Sequence, residues 1–278
     1  SRGLGDVYKR QVYTGLLVGL VFTLFPVFWI FISSVKTNTE VFAYPPSFIP
    51  ENFTLSAYFN IFNDEDKLRF FFNSYFIAII VTILTLLISI LSGYSFSRFD
   101  FKLKRILNLS IISTQTIPPI TLLIPYFGIV VTFKIFDTYL ALILTYLVFT
   151  IPYATLMMTS YFNTLPKELD DAVLMDGGSN FTALCRVIIP ISLPGIVATC
   201  VYTFLLCWNE FLFALTLTKS YEMRTVPIGI QLLMGQHAYE WNEMMAMSII
   251  GTVPIPVSYT HLRAHETRGN LVCRLLLE

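Results

Sequence analysis

Charge is scarce in this chain. Only 13% of its 278 residues are Asp, Glu, Lys or Arg, about half the share of a typical soluble domain. The 18 basic residues balance the 18 acidic ones, so no basic surface points to nucleic acid. There are 3 histidines, His237, His261 and His265, and no C-x-x-C or His/Cys cluster suggests a metal. The 4 cysteines form no disulfide framework. Cys185 lies in a polar segment, Cys200 and Cys207 share an apolar one, and Cys273 is near the C-terminus. Cys200 and Cys207 fall on one helix face and read as small buried side chains.

Hydrophobic residues make up 55% of the chain, and they come in blocks. A helix crossing a bilayer needs roughly 20 apolar residues. Six segments fit a multi-pass, all-α membrane protein: Val12–Ser33, Phe70–Gly93, Ile106–Thr132, Tyr139–Tyr161, Gly195–Leu217, and a last one from Met244. A tight turn near Lys134 and Asp137 separates the third from the fourth. The ends read differently. Residues 1–11 and 258–278 look like translated read-end sequence, because His261, Arg263, His265 and Glu266 interrupt an apolar run that a last span would continue.

The loop Ser95–Arg105 carries Arg98, Lys102, Lys104 and Arg105, which favours the cytoplasm. Lys36, Lys67, Arg69, Lys134, Lys219 and Arg224 lie on the other side. Short loops weigh more in this rule, so both termini and the 162–194 loop are expected inside.

That loop is the one long polar island. Leu165–Pro194, LPKELDDAVLMDGGSNFTALCRVIIPISLP, predicts a short helix, a glycine break, a second helix and two prolines leading into the next span. Pro166 suits a first turn, and Glu168, Asp170 and Asp171 place negative charge at the helix's positive end. Gly177 and Gly178 supply a stop. Helical spacing puts Leu165, Leu169, Ala172 and Val173 on one inward face, with Glu168, Asp171, Leu174 and Met175 off it. Exposed apolar residues beside acids suit docking into a partner's groove. The other reading is a helix lying on lipid. Such helices usually carry Lys and Arg, whereas this one holds only Lys167.

Glu168-Leu169-x-Asp171-Ala172-x-x-x-Asp176-Gly177, followed by Pro190 and Pro194, resembles the EAA loop of ABC-importer permeases with a MetI-like transmembrane domain. Phe42–Tyr58, Gly93–Phe101, Phe136–Leu144 and Trp208–Leu215 resemble the carbohydrate-uptake, MalG-like branch. The resemblance covers about Val12–Pro256. It implies six spans, with residues 12–69 as first span and external loop and 70–257 as the type-1 permease domain. It also implies a multi-pass protein of a bacterial cytoplasmic membrane. Its partners would be a second permease subunit, an ABC ATPase dimer and an extracytoplasmic solute-binding protein. Glu168, Leu169, Asp171, Ala172, Asp176 and Gly177 would form the contact with the ATPase, Asp176 capping the segment after it. The chain has no G-x-x-x-x-G-K-[ST], so ATP would bind the partner, and no cofactor is expected here. Two departures stand out. Asp171-Ala172-Val173 replaces Glu-Ala-Ala, and Gly177-Gly178 replaces Gly-Ala, with Gly178 expected to loosen the break.

Pathway residues are less marked. Pro118, Pro119 and Pro125 interrupt the third span, and either line a transport path or bend a packed helix. Glu210, beside Asn209, is the acid well inside a span, where an ionisable group is a functional candidate by default. Near the external end it would line the pathway or meet a neighbouring subunit. Two other classes compete. An ion-coupled secondary transporter predicts paired intramembrane charges or an inverted repeat. A membrane enzyme predicts clustered His, Asp or Ser.

Overall fold

A computed structural model describes residues 2–235 and 239–252. Among them the elements are helical, apart from one isolated bridge between Met234 and Tyr239. The chain divides into two units, residues 1–68 with 229–253, and residues 69–228 with 254–278.

In the first unit, α1 (Arg2–Ser34) packs on α14 (Trp241–Thr252), which also meets α2 (Asn38–Val41) and α3 (Ser56–Asn63). Polar clasps fix the arrangement. The Asn38 amide donates to Tyr239 O at 2.7 Å and its carbonyl accepts from Trp241 N at 3.1 Å. Buried Glu243 accepts from Asn60 and from Lys67 at 2.7 and 2.6 Å.

The second unit is built from most of α4 (Glu65–Arg98), then α5 (Lys104–Thr116), α6 (Leu123–Thr132), α7 (Tyr139–Asn163) and the polar loop. The loop holds α8 (Glu168–Met175), α9 (Asn180–Ala183) and α10 (Ile189–Ile191), after which come α11 (Leu193–Trp208), α12 (Leu212–Leu217) and the start of α13 (Val226–Leu232). Helices pack here as they do in lipid, through small residues and hydroxyls. A Cβ on Gly93 would lie 2.8 Å from Met158 Cβ, and one on Gly195 2.5 Å from the Tyr161 ring. Thr85 bonds Thr150 at 2.8 Å, and Ser92 bonds Thr155 at 2.9 Å.

Among the described residues, three helices are long and apolar enough to cross a membrane: Tyr8–Ser34, Glu65–Arg98 and Tyr139–Asn163. Counting two bent pairs as single spans gives five. The third expected span is one of these pairs, α5 and α6 meeting at 99°. Pro118 and Pro119 cause the break, since neither offers an N–H to the preceding turn. The expected fifth span is also not continuous. The chain enters it through a 77° bend between Asn180–Ile191 and Leu193–Trp208, and helix stops at Trp208 and resumes at Leu212. The expected sixth span is described only as α14, which is 12 residues long. The segment 258–278 lies outside the described residues, and so does His237.

The turn near Lys134 and Asp137 is tight as expected, with φ of 57° and 60°. The Asp137 carboxylate accepts from Lys219 N at 2.8 Å and Ser220 N at 3.1 Å, tying the turn to the segment after α12. Burial pushes its pKa up, but those N–H groups and Arg224 outweigh burial, and the net shift is downward. Buried Asn73 holds the same segment, donating to Glu222 O and Arg224 O at 2.8 and 2.7 Å.

Candidate functional site

The polar loop folds largely as its sequence reads. α7 ends at Asn163, and α8 begins at Glu168 with three acids in its first turn. Pro166 sits two residues ahead of α8, outside its first turn. At the other end Gly177 takes φ +80°. Gly178 N donates to Val173 O at 2.9 Å and Gly177 N to Leu174 O at 3.1 Å. This is a Schellman motif, and its left-handed position selects glycine. Asp176 occupies the C-cap of α8, so it does not cap α9. Ser179 does, accepting from Thr182 N at 3.2 Å.

Gly178 tightens the break. A Cβ there would lie 2.6 Å from Val173 Cγ1 and 2.9 Å from Val173 O. The two departures from the family pattern, Val at 173 and Gly at 178, thus answer each other: the larger residue occupies the space the smaller one leaves.

The inward face of α8 differs from expectation at two positions. Ala172 is exposed, whereas Asp170 is buried. Asp170 turns inward because α4 supplies its counter-charge. Arg98 Nε lies 2.8 Å from Asp170 Oδ2, with side chains only 6% and 9% exposed. The contact is ionic, its angle falling outside hydrogen-bond geometry. Tyr94 Oη donates to Asp170 Oδ1 at 2.5 Å. Arg98 NH1 also donates to Phe162 O and Leu165 O, at 3.1 and 3.2 Å. One guanidinium thereby joins the ends of α4 and α7 to α8. Leu165 and Leu169 pack beside it on a cluster of Tyr94, Met158, Phe162, Leu184 and Ile188.

With Leu169, Asp170 and Val173 held inward, Glu168, Asp171, Ala172 and Met175 share the opposite, exposed face. Met175 is 88% exposed. Of the expected contact residues, Glu168, Asp171, Ala172, Asp176 and Gly177 are exposed and Leu169 is half-buried. Sequence reading missed the inward turn of Asp170. It placed Met175 off the inward face, and the structure exposes it there, at i+7 from Glu168.

The pathway candidates lie elsewhere in this unit. Pro118 and Pro119 are exposed at the α5–α6 break. Asn209 is exposed and donates to Leu205 O at 2.9 Å. Glu210 is engaged within the chain. Its carboxylate accepts from Phe213 N and Ala214 N at 2.8 and 3.0 Å, capping α12, and from Tyr146 Oη at 2.7 Å. It therefore explains the restart of helix at Leu212. Among the described residues no group of His, Cys, Asp or Glu could hold a metal ion.

Residues 85–263 match the profile of the family described as binding-protein-dependent transport system inner membrane component. The sulfoquinovosyl glycerol transport system permease protein of Agrobacterium fabrum is 37% identical over 259 residues, covering 92% of this chain and 91% of the relative. The trehalose/maltose transport system permease protein of Thermococcus litoralis is 33% identical, covering 91% of each. The fold resembles a chain in the crystal structure of a bacterial ABC transporter that imports alginate, with TM-score 0.78 and 18% identity over 93% of this chain and 96% of that one. The chain is a member of the binding-protein-dependent transport system inner membrane component family, a helical membrane permease of the ABC-importer type.

Proposed function

We propose that this chain is a permease subunit of a carbohydrate importer in a bacterial cytoplasmic membrane, and that α8 is the helix through which a separate ATPase drives it. The observation that carries the reading is the two-sidedness of α8. Asp170 is anchored by Arg98 and Tyr94 on one side, and Glu168, Asp171, Ala172 and Met175 face outward on the other. An apolar side chain as exposed as Met175, set among acids, suits a partner's groove better than anionic lipid. The anchor would transmit motion of the bound helix to the ends of α4 and α7, a nucleotide-biased switch of a bistable element. ATP would be hydrolysed on the ATPase, since this sequence contains no P-loop.

Carbohydrate as cargo is supported by the transport roles in the relatives' names. A second permease subunit would complete the pathway, and an external solute-binding protein would deliver the cargo; one related solved complex includes such a periplasmic protein. The loop is proposed to face the cytoplasm. Residues 12–69 would provide the first span and external loop, and 70–257 the permease domain.

The test is co-purification with the ATPase. Ala172→Arg alters only an exposed position, so the permease should still insert and join its partner permease but lose the ATPase. Gly177→Pro, which cannot adopt φ +80°, should abolish transport-coupled ATP hydrolysis. Full retention of the ATPase by Ala172→Arg and full coupling in Gly177→Pro would refute the reading.

A further inference from the structure

The break between α5 and α6 carries hydrogen-bonding groups that its position in the membrane should not tolerate. α5 has no buried residue and includes Asn108, Ser110, Ser113, Thr114, Gln115 and Thr116. Three of the hydroxyls are satisfied within the helix: Ser113 donates to Leu109 O, Thr114 to Ile111 O and Thr116 to Ser113 O, at 2.7–2.8 Å. Gln115 has no such internal solution and is exposed. It stands 11 residues beyond Lys104. At about 1.5 Å per residue that is ~16 Å, near the middle of a hydrocarbon core roughly 30 Å thick.

The backbone beside it is also open. Pro118 and Pro119 have no N–H, so the Thr114 and Gln115 carbonyls lack the helical donors four residues on. Unsatisfied groups at this depth do not face lipid; they face protein or a water-filled cavity. Lys104, Asn108 and Ile111 form the half-buried stripe of α5, which packs on α7. Gln115 continues that stripe beyond the packed part, where it is exposed. A helix–helix interface in lipid prefers small residues that let backbones approach, whereas Gln115 lies between exposed Ile112 and Ile117.

Resting on the importer reading, we infer that this break lines the aqueous conduit, and that Gln115 hydrogen-bonds a polyhydroxylated solute in transit. A carboxamide supplies two donors and an acceptor, and the adjacent carbonyls supply further acceptors. A sugar hydroxyl both donates and accepts, so the two patterns are complementary.

The experiment uses the assembled complex in vesicles, with Cys185, Cys200, Cys207 and Cys273 replaced. Gln115→Cys should react with a membrane-impermeant maleimide at least tenfold faster than Leu109→Cys, a position about 120° away around α5. Gln115→Leu should keep assembly and ATP hydrolysis while uptake falls at least tenfold. Uptake is read with radiolabelled trehalose or maltose, whichever the wild-type complex accumulates. Equal or absent labelling at 115 overturns the inference, and so does unchanged uptake in Gln115→Leu. Loss of assembly in both Gln115 variants would place the residue against the second permease and overturn it too. If the wild-type complex accumulates neither sugar, labelling decides whether position 115 meets water, and equal or absent labelling there overturns the inference.

Discussion

Replacing Asp170 with Asn removes the charge that holds α8 to α4 while leaving the shape of the side chain. In the wild-type chain the carboxylate sits 2.8 Å from Arg98 Nε, and neither side chain is more than 9% exposed. Breaking one side of a buried pair costs roughly 3–5 kcal/mol, because the remaining charge is left uncompensated. Arg98 keeps its bonds to Phe162 O and Leu165 O, so the expected loss is at the low end, about 3 kcal/mol. At 1.4 kcal/mol per decade this weakens the anchored state roughly a hundredfold. Tyr94→Phe removes one hydrogen bond to a charged group, worth about 1.5–3 kcal/mol, and should be milder. Replacing both Asp170 and Arg98 with Leu should recover part of the stability, since apolar substitution of a whole buried ion pair is often neutral but the bonds of Arg98 to Phe162 O and Leu165 O are lost. It should not restore coupling, because Arg98 would no longer reach the end of α7. The readouts are thermal unfolding of the purified complex and the ratio of solute moved to ATP hydrolysed. An Asp170→Asn variant that melts and couples like wild type would refute the reasoning. A double-mutant cycle on Asp170 and Arg98 that finds no coupling energy would show that the ionic contact carries no weight.

Two other positions give predictions from local geometry. Gly178→Ala should destabilise the loop by about 1–3 kcal/mol through overpacking, and Val173→Ala in the same chain should recover the part due to Val173 Cγ1 while the contact with Val173 O remains; a double-mutant cycle on unfolding that finds no coupling would contradict it. For Asp137, the lowered pKa means that its contribution is present above the ordinary carboxylate value of about 3.9 and is lost as pH falls through the folded value. Wild type should therefore melt above Asp137→Asn at pH 7, with the gap shrinking as pH falls below the ordinary carboxylate value; a gap that does not change with pH would contradict the assignment.

Much of the candidate site was legible because its signals are local. The acids of Glu168, Asp170 and Asp171 ahead of a glycine pair mark a short helix, and Gly177 adopts the positive φ its position requires. Apolar length located the long spans, and Pro118 and Pro119 marked a real break. What escaped depends on distant residues. Asp170 reads as another exposed acid until Arg98 and Tyr94, far upstream in the chain, come beside it. Displacing Ala172 outward is the consequence. The break at Asn209–Phe211 lies inside one expected span, where Asn209 and Glu210 read as pathway candidates, and only the hydrogen bonds of Glu210 reveal it. The role of Gly178 depends on contact with the Val173 side chain, which residue types alone do not report.

The most direct measurement of the central claim is a cross-link from the outer face of α8. A photoreactive residue placed at Met175, 88% exposed on that face, should cross-link the ATPase subunit in the assembled importer, and the yield should change when nucleotide closes the ATPase pair. The same residue at Val173, turned toward the permease interior, should give adducts within this chain. Equal yields from the two positions, or a Met175 adduct formed only with lipid, would contradict the account.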